Sequence, residues 1–302
     1  MIDIRPATAD DRGAITALLR RTMQVDDARY DEFLAWKHQR NPFGASYEWV
    51  ATTGTEVVGY RAFLRWEFVV DGTARRAVRA VDTATAPEHH GKGIFRKLTL
   101  HAVEQMRDNG VAWVFNTPND SSRPGYLKMG WTVVGQLPVA LVARSPLVLR
   151  HARKARQPAA RWSEPSDAFD AATDAIDGFE PECTNWATHR TAPFLEWRYG
   201  FEPLHYRAAR TDGGAVVFRV RRRGPLVEAF IADVWGQSMR LGRVARDILR
   251  ATQADVAVMS GHLRPRAALP VSGPRLTWRT LADDRTPTMQ QLRLTGGDLE
   301  LF

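Results

Sequence analysis

Between Val81 and Trp131 the chain carries residues that could together hold an anion and move a proton. A β-prone run, Val81-Asp82-Thr83-Ala84-Thr85-Ala86, reaches Pro87 and then the turn His90-Gly91-Lys92-Gly93. Helical residues follow at Ile94-Phe95-Arg96. A strand–turn–helix passage points successive backbone N–H groups and a helix N-terminus at one spot, where negative charge is favoured. Gly91 and Gly93 let the backbone approach a ligand closely, and Lys92 and Arg96 add positive charge. The chemistry implied is the holding of a pyrophosphate. The loop is too short for the P-loop pattern, and the dinucleotide fingerprint is absent. Taken alone, the loop also reads as a turn with solvated lysines. After a short apolar strand come Asn119, Ser122, Tyr126, Gly130 and Trp131.

The two sets together resemble the coenzyme-A-binding core of the GNAT acetyltransferase superfamily. That family has a strand ending near Pro, then Arg/Gln-x-x-Gly-x-Gly/Ala and a helix. Later come Asn, a small residue three on, Tyr seven on, and Gly-aromatic eleven and twelve on. The second set matches at every spacing. The first departs twice: His90 stands where the family has Arg or Gln, and Phe95 where it has a small residue. The resemblance implies acetyl-CoA as cosubstrate and no metal. It implies coenzyme contacts from His90, Gly91, Lys92, Gly93, Ile94, Phe95 and Arg96, main-chain contacts from Ala84 and Thr85, and positioning contacts from Asn119 and Ser122.

Acetyl transfer to an amine requires a held thioester, a polarised carbonyl, a deprotonated amine and a protonated leaving thiolate. The resemblance makes Tyr126 the general acid; a phenol is suited to protonating a thiolate, and the competing reading packs it under the sheet. For the base, Asp82 is a carboxylate inside an otherwise apolar strand, where burial would raise its pKa. A structural Asp, Glu67 on the facing strand, and a water chain are the alternatives. Trp36 is a candidate for the acceptor pocket, since the resemblance places acceptor specificity near the first two helices. His89 and His90 are adjacent and do not form a metal site.

These residues need elements to place them. Ile2–Pro6 reads as a strand; Ile15, Leu18, Leu19 and Met23 share one helical face. A second helix spans about 29–40 and ends at Asn41-Pro42. Trp49–Ala51 and Val57–Val58 read as strands. A hairpin, Tyr60–Val70 and Arg75–Thr85, turns at Asp71-Gly72. The helix from Gly93 to Arg107 buries Ile94, Leu98, Ala102 and Met106; Val111–Phe115 is a strand buried on both faces. A short helix precedes strands Trp131–Val134 and Val139–Ala143, which close the sheet.

The chain has 302 residues, enough for two domains. An internal repeat defines the second: Phe33-Leu34-x-Trp36-Lys37 and Pro42 recur as Phe194-Leu195-x-Trp197-Arg198 and Pro203, 161 residues on. Strands 215–221 and 227–234, a helix 241–252 and a strand 255–259 follow. Val234-Trp-Gly-Gln stands where a glycine cradle would be, and His262-Leu-Arg-Pro-Arg where the Asn–Tyr set would be. The expected class is therefore α/β (α+β), with two GNAT-like domains, each a mixed, mostly antiparallel sheet flanked by helices. The expected domains are 1–145, a basic linker 146–161, and a degenerate copy at 162–302.

The formal charge is +8, but Arg144, Arg150, Arg153, Lys154, Arg156 and Arg161 account for all but +2 of it. This is one local patch without interleaved aromatics, which weighs against a base-stacking platform and a nucleic-acid partner. Hydrophobic content of 44% without an apolar run of about 18 residues argues against a membrane span. The sole cysteine, Cys183, excludes an internal disulfide. With no apolar N-terminal segment, a cytoplasmic location is expected. The expected partner is an amine-bearing small molecule; homo-oligomerisation stays open, and an acyl-CoA sensor without transfer is the competing function.

Overall fold

The turn Asp71-Gly72 takes positive φ at both residues, 51° and 72°, the conformation that matches the twist of a two-residue hairpin. It joins the two longest strands of the computed structural model, which describes residues 2–148, 158–176, 186–211, 214–236, 240–260 and 268–300. The chain divides into two units, Met1–Gly135 with Arg275–Thr288, and Gln136–Pro274 with Met289–Phe302.

The first unit contains β1 (Asp3–Pro6), α1 (Arg12–Met23), α2 (Tyr30–Gln39), β2 (Tyr47–Thr53), β3 (Glu56–Val70), β4 (Thr73–Thr85), α3 (Ile94–Asp108), β5 (Trp113–Asn116), α4 (Arg123–Lys128) and β6 (Thr132–Gln136). Its sheet runs β1-β2-β3-β4-β5, and then takes in Arg275–Thr280 (β15) before β6. Ile94, Leu98, Ala102 and Met106 of α3 are all buried, as their spacing demands. At Gly59 of β3 an added Cβ would lie 2.6 Å from Ile94 Cγ2, so glycine is what lets α3 seat on the sheet. Thr8 and Asp11 form a capping box ahead of α1, which places the acidic helix start where the sequence indicates it.

The second unit contains β7 (Val139–Ala143), β8 (Asp170–Ala171), β9 (Ala187–Thr188), β10 (Arg207–Thr211), β11 (Gly214–Arg223), β12 (Leu226–Trp235), β13 (Val256–Ser260) and β14 (Leu269–Val271). The sheet order is β14-β7-β13-β12-β11-β10-β8. The helix Leu241–Thr252 buries Val244, Ala245, Ile248 and Leu249 against Phe218, Ala229, Ile231, Ala257 and Met259, as α3 does in the first unit. Both sheets are mostly antiparallel, and each includes a parallel pair: β4 with β5, and β12 with β13.

The domain limits differ from those expected. Val139–Ala143 does not close the first sheet; it pairs with β13 and β14 of the second. Its place is taken by β15, whose Trp278 is fully buried against Phe68, Trp113 and Phe115 at ring distances of 5.6 to 6.1 Å. Burial of an aromatic on this scale contributes roughly 1.5–3 kcal/mol, and no nearer stretch of sequence supplies it. Part of the expected linker belongs to the second unit as well: the Ala160 N–H donates to Arg222 O at 2.7 Å, and the Arg161 carbonyl accepts from Arg219 Nη1 at 2.8 Å. Residues 149–157 of that segment, Cys183, and the stretch 262–266 lie outside the described residues.

Candidate functional site

Strand β4 pairs with β3 from Thr73 to Thr85, including Thr85 with Gly59 and Ala84 with Tyr60, with a register shift at Val81 and Asp82. Its ladder with β5 holds only from Ala77 to Arg79. Past that point, among the described residues, β4 has no strand partner on that side. A cavity of about 560 Å³ opens there. Thr83, Ala84 and Thr85 of β4 line it, with His90, Gly91 and Gly93 of the turn, Ile94, Phe95 and Arg96 of α3, and Ser121, Ser122 and Gly125 around α4.

The turn has the build of an anion cradle. Gly91 and Gly93 have φ of 75° and 72°, and a Cβ on either would meet nothing within 4 Å. These are left-handed positions opening onto free space, which glycine alone occupies without strain. No side chain caps the N-terminus of α3, so its first N–H groups are left for a ligand. On donor set and space, the residues fit the pyrophosphate of a coenzyme.

The other expected residues divide. Ile94 and Phe95 offer backbone N–H groups, but the Ile94 side chain is core. The Phe95 ring lines the cavity and meets Tyr126 edge-on at 5.4 Å. Lys92 is exposed and its Nζ lies 3.4 Å from His89 Nδ1. His90 turns back to the strand, its Nε2 donating to Thr85 O at 3.0 Å, so it ties turn to strand rather than reaching outward. Asn119 is exposed and absent from the cavity wall; its Oδ1 accepts from the Ser122 N–H and both serine hydroxyls at 2.8 to 2.9 Å. It therefore braces the entry to α4, and Ser121 and Ser122 stand at the cavity in its place.

Tyr126 is buried, with its Oη accepting from Arg61 Nη2 at 2.8 Å. Trp131 packs edge-on against it at 5.2 Å. Arg61, which sequence reasoning missed, is fully buried. An arginine inside the apolar strand 57–64, on the same face as Gly59 and Phe63, was the available signal.

Asp82 is the main departure. Its Oδ2 lies 2.7 Å from Lys37 Nζ and 2.8 Å from His38 Nε2, all three buried. His38 Nδ1 is 2.9 Å from Ser46 Oγ. Burial pushes the Asp82 carboxyl up, but Lys37 and His38 outweigh it and hold it well below the ordinary range. The expected raised pKa is thus reversed, and Asp82 is the hub of an ion cluster joining α2 to β4. Glu67 pairs with Arg76 toward the hairpin end, eight residues and roughly 26 Å of strand from Gly59. Trp36 is core, 5.6 Å from Phe33. No group of three or more His, Cys, Asp or Glu that could hold a metal occurs among the described residues. No helix among them is long and apolar enough to cross a membrane. The second unit has a cavity of about 690 Å³, walled by Leu226, Phe230 and Val258, the Arg221–Glu228 ion pair and the loop Ser272-Gly273-Pro274.

Residues 3–134 match the family model described as acetyltransferase (GNAT) domain; the first unit is a GNAT-family domain. No curated protein matches the sequence at a significant level. Among solved structures, the chain resembles a probable N-acyltransferase of Enterococcus faecalis V583, with TM-score 0.68, 10% identity, and 93% of this chain and 73% of that one covered. It likewise resembles GCN5-related N-acetyltransferases from Anabaena variabilis, with TM-score 0.63 and 12% identity, and from Kribbella flavida, with 0.62 and 14%. These cover 93% of this chain and 73% and 72% of theirs. At such identities the likeness is one of fold, and it extends over both units.

Proposed function

We propose that the protein transfers an acetyl group from acetyl-CoA to a primary amine on a small-molecule acceptor, by direct attack in a ternary complex. The observation that carries this reading is the end of β4 that lacks a strand partner toward β5, beside an uncapped, glycine-opened helix start, with a buried phenol behind Phe95. The pantetheine arm would pair with the backbone of Ala84 and Thr85, and the pyrophosphate would meet the N–H groups from Gly91 to Arg96. Backbone N–H at the β4 edge polarises the thioester carbonyl, and Tyr126 protonates the departing sulfur. Asp82, held low and ion-paired, is not assigned as base; the amine proton leaves through water.

A second reading, an acyl-CoA sensor without transfer, draws on the same ion cluster, since it leaves no free carboxylate at Asp82. An acceptor screen scored by free-thiol release from acetyl-CoA separates the two. Thiol release dependent on an amine supports transfer. Tight coenzyme binding with no release across amine classes supports the sensor.

A further inference from the structure

We infer that Arg61 is a positioning residue for Tyr126: it fixes the phenol as a hydrogen-bond acceptor, frees the phenolic proton for the leaving sulfur, and stabilises the phenolate that remains. This rests on the acetyl-transfer reading of the cleft.

The guanidinium is fully buried. Nη2 donates to Tyr126 Oη at 2.8 Å and Nη1 to Val81 O at 3.1 Å. Among the described residues Nε has no hydrogen-bond partner. The rings of Phe63, Tyr126 and Phe95 surround the charge at 4.4, 5.5 and 5.6 Å. Among the described residues no carboxylate pairs with it. Burying a cation without a counter-ion costs several kcal/mol, and ring faces recover only part of that. Such a charge is best offset by an anion that forms nearby.

Among the described residues, the only side chain it hydrogen-bonds is that of Tyr126. A guanidinium donates and cannot accept, so the phenol oxygen must accept, and its own proton points elsewhere. Among the described residues that proton has no acceptor. Phe95 and Trp131 hold the ring from two sides, so the phenol cannot swing to another partner. The contact to Val81 O anchors the guanidinium to the strand that walls the cavity. In the transfer step the C–S bond breaks with its electron pair on sulfur, and sulfur takes the Tyr126 proton. The phenolate stays beside Arg61 and regains a proton, through water, from the attacking nitrogen. Nothing is oxidised or reduced.

The test is a double-mutant cycle on the full chain, read as kcat and KM for acetyl-CoA. Arg61→Met is expected to lower kcat by about 10²-fold, the scale for losing one preorganised donor, with KM little changed. Arg61→Lys, which keeps a charged donor, should recover part of the loss. In a Tyr126→Phe background, Arg61→Met should then change kcat by less than about threefold, because residues acting through one another are not additive. Equal losses in both backgrounds, or a loss confined to KM, would overturn the inference. If Arg61→Met does not fold by circular dichroism, Arg61→Lys in the same cycle decides. An activity-free arm uses [¹³Cζ]tyrosine NMR, with the Tyr126 signal assigned by its loss in Tyr126→Phe. Arg61→Lys should move that signal; an unmoved signal overturns the inference. Absence of amine-dependent turnover in the wild type would instead sink the reading of the cleft, and the NMR arm would still decide on Arg61.

Discussion

Lys37 and Arg198 occupy the same place in a repeated helix, yet they hold down different things. Both are fully buried, and the neighbouring Phe–Trp pairs are almost superposable in kind, at ring distances of 5.6 and 5.7 Å. Lys37 reaches Asp82 on β4 and so clamps the strand that walls the cleft, leaving the space beyond it open. Arg198 donates to Gly297 O, Glu300 O and Tyr206 Oη, each at 2.9 Å. It thereby ties the short helix Gly296–Leu299 to the repeated helix. Gly296 and Gly297 lie so close to Ile231 O and Tyr199 Oη that a Cβ on either would overlap them. The second unit therefore fills with its own chain a position along the parallel strand where the first unit has an open cavity. The glycines at the two places mirror this: Gly91 and Gly93 open onto free space, and Gly296 and Gly297 allow close packing. On the proposed reading, one frame serves for binding in one copy and for support in the other.

Four measurements would break or sharpen that contrast. The largest effect is expected at the cradle. Gly93→Val should remove coenzyme binding, because the side chain projects into the cavity; the left-handed φ adds about 1–2 kcal/mol of strain, which a folded domain tolerates. Undiminished affinity, measured by calorimetry on a folded variant, would place the site elsewhere. Next, Tyr126→Phe should lower kcat by about 10²–10⁴-fold with KM for the coenzyme nearly unchanged. A rate within about threefold of wild type would leave the phenol as packing.

The third is energetic. Asp82→Asn should destabilise the protein by about 3–5 kcal/mol in urea unfolding, since it removes the buried carboxylate that pairs with Lys37 and His38. Turnover per folded molecule should fall far less than loss of a base requires. The sign with pH follows from the depressed carboxyl. Its stabilisation is complete above the ordinary carboxylate range and is lost as pH falls through and below that range. Melting of the wild type should therefore drop on acidification, and Asp82→Asn should flatten that part of the curve. An unchanged acid limb in the variant would remove Asp82 from this role.

Much of this was legible because it is local. Gly91, Gly93 and Tyr126 stand at spacings fixed by a strand end, a helix start and one helical turn, and Asp71-Gly72 fixes the hairpin by its own φ values. The repeat at Phe33 and Phe194 announced the second copy through side chains that must be buried together. What stayed hidden is non-local. Val139–Ala143 and Arg275–Thr280 both read as strands, but nothing in either pattern says which sheet each joins; Trp278 meets Trp113 only in the fold. Asp82 sits in an apolar strand, and burial alone argues for a raised pKa; the sign is reversed by Lys37 and His38, more than forty residues away. Asn119 has the family spacing, yet its oxygen is spent on the serine turn. Arg61 was visible as a charge within an apolar strand, but its partner Tyr126 lies 65 residues further on.

The central claim is that one unit of the two takes the coenzyme. Calorimetric titration of the full chain with coenzyme A tests it most directly. The expected result is one site per chain, absent in Gly93→Val. Two sites per chain, or one that persists in the folded Gly93→Val variant, would contradict it.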